Sequence, residues 1–174
     1  MGGFTIAAAE ELLSLSAQDR DVLKVLEGLG DQSLLRRLQE QHGEPRLSML
    51  ETIREFALER LAEAGELDDA RRRHAEVILA LAEALEPRLA SSSEALDAMT
   101  HDHDNVRAAV SWSIETGEAE TGLRLGYAAW RFWQRRGHFR DCHVSLGLPC
   151  LDARPRVNME ESWIRGLVPG GEER

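Results

Sequence analysis

Apolar positions along the first thirty residues recur at helical spacing in two short blocks. Phe4, Ile6, Ala9, Leu12 and Leu13 form the first, with Thr5 placed to cap it. Val22, Leu23, Val25, Leu26 and Leu29 form the second, within Asp19 to Leu29, and Gly28 or Gly30 supplies its stop. The pattern then changes. Leu34-Leu35-Arg36-Arg37-Leu38-Gln39 and Arg46-Leu47-Ser48-Met49-Leu50 flank His42-Gly43-Glu44-Pro45, which predicts a β-hairpin across a Gly/Pro turn. Helix, helix, hairpin is the order of a winged helix, with the hairpin as the wing.

From Glu51 onward helical periodicity dominates. Ile53, Phe56, Ala57, Leu61 and Ala64 make one stripe, ended by Gly65. Leu67, Ala70, His74, Ile78, Leu81 and Leu85 make a second, closed by Pro87. Ser91-Ser92-Ser93 is a loop and a capping site for a third stripe of Leu96, Met99, His103, Val106, Val110 and Ile114, which stops at Gly117. Ala119 to Arg136 follows as a fourth helix with Leu123, Tyr127, Trp130 and Trp133 on its expected inner face and Gly137 as the break. Two helices joined by Glu115-Thr116-Gly117-Glu118 make an αα-hairpin of the tetratricopeptide type. One such hairpin cannot bury both its faces, so an uncapped face would favour self-association. After Asp141 the periodicity is lost, and 142–174 is expected to be weakly structured apart from a short turn near Glu160 to Leu167. The predicted fold is mainly α: a winged-helix-like domain over 1–65, a helical tetratricopeptide-like region over 66–141 and a divergent tail.

Composition narrows the chemistry. The 174 residues carry a formal charge of −10, with 43% hydrophobic and 30% charged residues, as expected of a globular protein. Among 21 Lys+Arg residues the one lysine is Lys24, inside a helical run with no glycine-rich turn before it, which excludes a Walker P-loop from this chain. No apolar run approaches the roughly 18–20 residues of a membrane span, and Met1-Gly2-Gly3-Phe4 does not open a secretory signal. Two cysteines, Cys142 and Cys150, cannot build a disulfide framework. A cytoplasmic protein with no membrane partner is therefore expected.

Five separated blocks carry a family resemblance. They are Asp31-Gln32-Ser33-Leu34-Leu35 with Met49-Leu50-Glu51-Thr52-Ile53-Arg54-Glu55-Phe56-Ala57; Arg71-Arg72-Arg73-His74-Ala75; His103-Asp104-Asn105-Val106-Arg107-Ala108-Ala109; Trp130-Arg131-Phe132-Trp133; and Arg136-Gly137-His138. Their order resembles the segment that follows the nucleotide-binding domain in bacterial AfsR/SARP-type and LuxR-type STAND ATPase regulators, over about positions 2–141. The resemblance implies a winged helix that packs against an NTPase domain and relays its nucleotide state, followed by tetratricopeptide-like repeats. The chain would then be a fragment of such a regulator without the NTPase domain.

Candidate sites are weighed on charge and spacing. The helix that would enter a DNA groove carries Asp19, Arg20, Asp21, Lys24, Glu27 and Asp31, a net negative set that suits phosphate poorly. DNA is therefore the disfavoured partner and a protein, either an NTPase domain or another regulator, the favoured one. The most basic stretch, Arg124, Arg131, Arg135, Arg136 and Arg140, is interleaved with Tyr127, Trp130, Phe132, Trp133 and Phe139; a stacking groove for single strands is the sharp reading and core packing the favoured one. Arg71-Arg72-Arg73 reads as a solvated face paired with Asp68, Asp69 and Glu76, and His74 as a packed histidine. His101 and His103 diverge at i, i+2 on a helix, and Cys142, His143 and Cys150 match no zinc spacing, so no metal or other cofactor is expected. No nucleophile elbow or activated thiol is present, and no catalytic residue is assigned. Interaction residues are expected at Arg36, Arg37, Arg46, Tyr127, Trp130, Arg131, Trp133 and Arg135. The favoured function is a non-catalytic docking module of transcriptional regulation; the alternatives are a small DNA-binding regulator and a non-functional relic.

Overall fold

A computed structural model describes residues 2–14, 21–38 and 45–138. The expectations for 139–174, including the tail and the Cys142/His143/Cys150 set, lie outside the described residues, as do Asp19, Arg20 and the hairpin turn. The observed architecture is mainly α with one small antiparallel sheet, as a winged helix followed by a helical array requires. In chain order it comprises β1 (Phe4–Thr5), α1 (Ile6–Ser14), α2 (Val22–Asp31), β2 (Leu35–Leu38), β3 (Arg46–Met49), α3 (Glu51–Glu63), α4 (Leu67–Leu85), a 3-10 turn (Glu86–Arg88), α5 (Ser93–His101), α6 (His103–Thr116) and α7 (Ala119–Arg136).

The hairpin forms where the alternating runs predict it, with Leu35 opposite Met49 and Leu38 opposite Arg46. A third strand is added. Phe4 and Thr5 pair with Leu47 and Arg46, so β3 is central in the order β1-β3-β2. Thr5 still caps α1, its hydroxyl accepting from the Ala8 N–H at 3.1 Å. Two residues of strand lie below what sequence periodicity resolves. The strand also depends on Gly3, because a Cβ there would stand 2.5 Å from the Leu47 carbonyl oxygen and 2.9 Å from Leu38 Cδ1.

The glycines of α2 differ from their expected role. Gly28 and Gly30 lie inside the helix, and the chain turns only at Gln32 and Ser33, the latter at φ 59. A Cβ at Gly28 would meet nothing within 4 Å. Gly28→Ala should therefore raise stability by about 0.5–1 kcal/mol through helix propensity, measured by urea unfolding; a loss of stability would mean that α2 is packed against something at this position.

The third stripe is also not one helix. It breaks at Asp102, which ends α5 and precedes α6 with φ −98 and ψ 6. No glycine or proline marks the break. Of the three serines expected to hold the cap, Ser92 does so for α5, accepting from the Ala95 N–H at 3.2 Å. Glycines do terminate helices at Gly65, Gly117 and Gly137, each at φ between 72 and 76.

The apolar core lies among α4, α5, α6 and α7. Ala75, Ile78 and Ala82 of α4 meet Met99 of α5, Val106, Ala109 and Val110 of α6, and Leu125, Ala129, Phe132 and Trp133 of α7. By contrast, α1, α2 and α3 contain no fully buried side chain. Several stripe positions face out instead of in: Leu23 is 51% exposed, Phe56 58%, Ile114 54% and Tyr127 56%. Burial on α7 follows Leu125, Ala128, Ala129, Phe132 and Trp133, one step round the helix from the stripe expected from Tyr127 and Trp130.

Candidate functional site

The buried charges among the described residues lie where the sheet meets the helices. Arg46 is the first residue of the central strand, yet it is only 5% exposed, and Asp102 at the α5–α6 break is 8% exposed. The guanidinium holds the carboxylate bidentately: Arg46 Nη1 donates to Asp102 Oδ2 at 3.0 Å and Nη2 to Oδ1 at 2.6 Å. Arg46 Nη2 also donates to the Gly3 carbonyl at 2.6 Å. Asn105 Nδ2 closes the ring, donating to Asp102 Oδ1 at 2.8 Å and to the Gly3 carbonyl at 3.1 Å. Gly2 lies against the same junction, where an added Cβ would stand 3.1 Å from the His101 carbonyl oxygen. Two buried charges are tolerable because each is met by its opposite and by further hydrogen bonds.

Sequence reasoning missed Gly3, Asp102 and Asn105. The signals were present but weak: a Gly-Gly pair before a strand too short to see, and a His-Asp-His-Asp-Asn run in the middle of an apolar stripe. On that run His101 ends α5 and His103 starts α6, so the two imidazoles sit on different helices. Among the described residues no group of three metal-ligating side chains is brought together.

His74 on α4 borders this joint. Burial, and secondarily the Arg54 charge, hold its pKa below the ordinary 6.5, with Asp102 opposing the shift. The unfolded chain therefore binds a proton that the folded chain refuses as pH falls through 6.5. The stability contribution of neutral His74 is complete above about pH 6.5 and declines below it, down to the depressed folded value. The decline is at most about 1.4 kcal/mol per pH unit for one proton. Denaturant unfolding between pH 7.5 and 5 should show it, and His74→Gln should flatten the slope; an unchanged slope would contradict the assignment.

The arginines of α7 do not form an open basic face. Arg124 holds Glu83 of α4 in a two-point contact, Nε at 2.8 Å and Nη2 at 2.9 Å, and this pairing raises its pKa. Arg131 Nε donates to Glu86 at 3.0 Å, Arg135 Nη1 to the Leu89 and Ala90 carbonyls at 2.7 Å each, and Arg136 pairs with Asp97. The helix lacks acids of its own beyond its first turn because the acids are supplied by α4, the 3-10 turn and α5. Likewise Arg72 and Arg73 both pair with Asp69, as a solvated helical face predicts, and the Arg72 hydrogen bond lowers the Asp69 pKa.

The eight expected interaction residues thus divide. Arg46 is enclosed in the ionic joint, and Trp133 is fully buried with its Nε1 donating to His103 Nε2 at 3.3 Å; neither presents a surface to a partner. Trp130 is half-buried against the core, and Tyr127 is exposed. Arg131 and Arg135 fasten α7 to the 3-10 turn and the loop after it. Arg36 and Arg37 are exposed on β2, an edge strand, but adjacent strand positions point to opposite faces of a sheet. They do not make one patch.

No helix among the described residues is long and apolar enough to cross a membrane. No family model matches the chain, and no solved structure matches it. Curated relatives do match. Proteins of Mycobacterium tuberculosis and Mycobacterium bovis, each called a "Putative HTH-type transcriptional regulator", are 35% identical over 143 residues. The match takes in 81% of this chain but 16% of each relative. The chain is therefore similar to one segment of helix-turn-helix-type transcriptional regulators and spans about a sixth of their length.

Proposed function

We propose that this chain is a segment of a helix-turn-helix-type transcriptional regulator and serves as its non-catalytic docking part in the cytoplasm. Residues 1–65 are the winged-helix-like unit and 66–141 the tetratricopeptide-like unit, with 142–174 outside both. The observation that carries the reading is electrostatic. Each arginine of α7 is bound to an acid or carbonyl of α4, the 3-10 turn, α5 or the loop between them. The groove-entering candidate α2 is flanked or lined by Asp21, Glu27 and Asp31, and its Lys24 is paired with Asp21 at 3.1 Å. Such a surface repels phosphate, so the partner is protein. The resemblance to STAND regulators makes a nucleotide-binding domain of the same regulator the best candidate.

Direct DNA contact is the second reading. It is favoured by the names of the mycobacterial relatives and by the exposed Arg36 and Arg37 on the edge strand. Two measurements decide. A mycobacterial relative expressed without its matched 143 residues should bind this chain in trans at micromolar concentration in calorimetry. Labelled duplex DNA should show no anisotropy change at micromolar protein and low salt. Salt-sensitive DNA binding that Arg36→Ala/Arg37→Ala abolishes, with no protein complex, would replace the first reading by the second.

A further inference from the structure

The sheet unit buries little. Across β1, α1, α2, β2 and β3 the buried side chains among the described residues are Leu35 and Arg46, whereas α4 to α7 share a continuous apolar core. Hydrogen bonds that cross from the sheet to the helical array converge on Gly3, Arg46, Asp102 and Asn105. We propose that this ring is a directional latch: the Arg46–Asp102 fork, with Asn105 and the Gly3 carbonyl, sets the orientation of the winged sheet on the helical array, and its opening is the step by which the two units move apart.

The physical basis is the difference between the two kinds of contact available at this boundary. Apolar contact is non-directional and tolerates sliding. A planar guanidinium fork on a carboxylate admits one geometry, and the Gly3 carbonyl shares both its donors with Asp102. The three contributing segments come from β1's approach, the start of β3 and the α5–α6 junction, separated by 43 to 102 positions in the chain. Asp102 is also where the helix itself breaks, so the latch residue and the joint in the array are the same residue. A break without glycine or proline persists because the side chain at that point is held elsewhere. The inference does not depend on whether the docking partner is protein or DNA.

Spin labels at Asp31→Cys on the sheet side and Glu120→Cys on α7, in a Cys142→Ser/Cys150→Ser background, report the orientation as a distance distribution. The parent should give one narrow distance. Arg46→Met/Asp102→Leu removes the latch without leaving a lone buried charge, and should at least double the width while the helical circular dichroism is retained. Asn105→Ala, which keeps the ion pair, should give an intermediate width. A double variant as narrow as the parent would overturn the proposal, because apolar packing would then suffice. If the double variant does not fold, hydrogen exchange on the unaltered chain decides: β1 and β3 amides should exchange through an opening that leaves α4, α6 and α7 protected. Equal protection of sheet and helices would refute the latch.

Discussion

Asp102→Ala should lower the unfolding free energy by about 3–5 kcal/mol, among the largest losses available to a single polar substitution in this chain. The change strips a buried guanidinium of the carboxylate it holds bidentately and leaves one of Asn105's hydrogen bonds unmade, while the Gly3 carbonyl still accepts from Arg46. Desolvation of Arg46, whose side chain is 7% exposed, then lacks the carboxylate that offsets it. Arg46→Met should cost a comparable amount from the other side. Combining Arg46→Met with Asp102→Leu should recover most of the loss, because two apolar groups need no partners. With Asp102→Leu measured as the second single variant, the sum of the single losses should exceed the double by several kcal/mol, a coupling that the double-mutant cycle in urea reads directly. Losses that simply add would mean the two charges are not paired. Exposed pairs such as Lys24–Asp21 should show little coupling in the same assay, because water screens them. Asp102→Ala should also depress His74 further, since Asp102 is the group that opposes its downward shift.

The reach of the sequence can be judged from these same residues. Helices α3, α4 and α7 follow from long stripes of 3.6 periodicity, and the hairpin from two alternating runs around a turn; these are local signals that tertiary context only reinforces. The paired face of Arg72 and Arg73 with Asp69 was equally local, at i, i+3 and i+4. The joint was not. Arg46 was recognisable as an arginine in an alternating strand, but its burial depends on a carboxylate 56 positions later, and no spacing rule connects them. The partners of the α7 arginines are hidden for the same reason: the stretch has no acids of its own, and other elements bring Glu83, Glu86 and Asp97 to it. Strand β1 was invisible because its identity lies in pairing to Leu47 and Arg46, not in its own two residues.

Trp133→Ala tests the core where periodicity alone placed Tyr127 and Trp133 on the same stripe. Trp133 is fully buried and packs with Phe132 among α4, α5 and α6, so its truncation should cost about 3–5 kcal/mol. For a chain of this size that is a fall in Tm of roughly 10 °C, read by calorimetry. Tyr127→Ala, six residues earlier on the same helix but 56% exposed, should change stability by about 0.5 kcal/mol or less. Trp133→Phe separates the two parts of the effect. It keeps most of the apolar area and removes the indole N–H that His103 Nε2 accepts, so it should fall between the two, at about 1–2 kcal/mol. The His103 ring lies tilted against Phe132 and His138, with centroids 5.3 and 4.3 Å away, so loss of the indole bond should show in the imidazole chemical shifts of both histidines. Equal costs for Trp133→Ala and Tyr127→Ala would place the buried face of α7 one step back, along the stripe that spacing predicts.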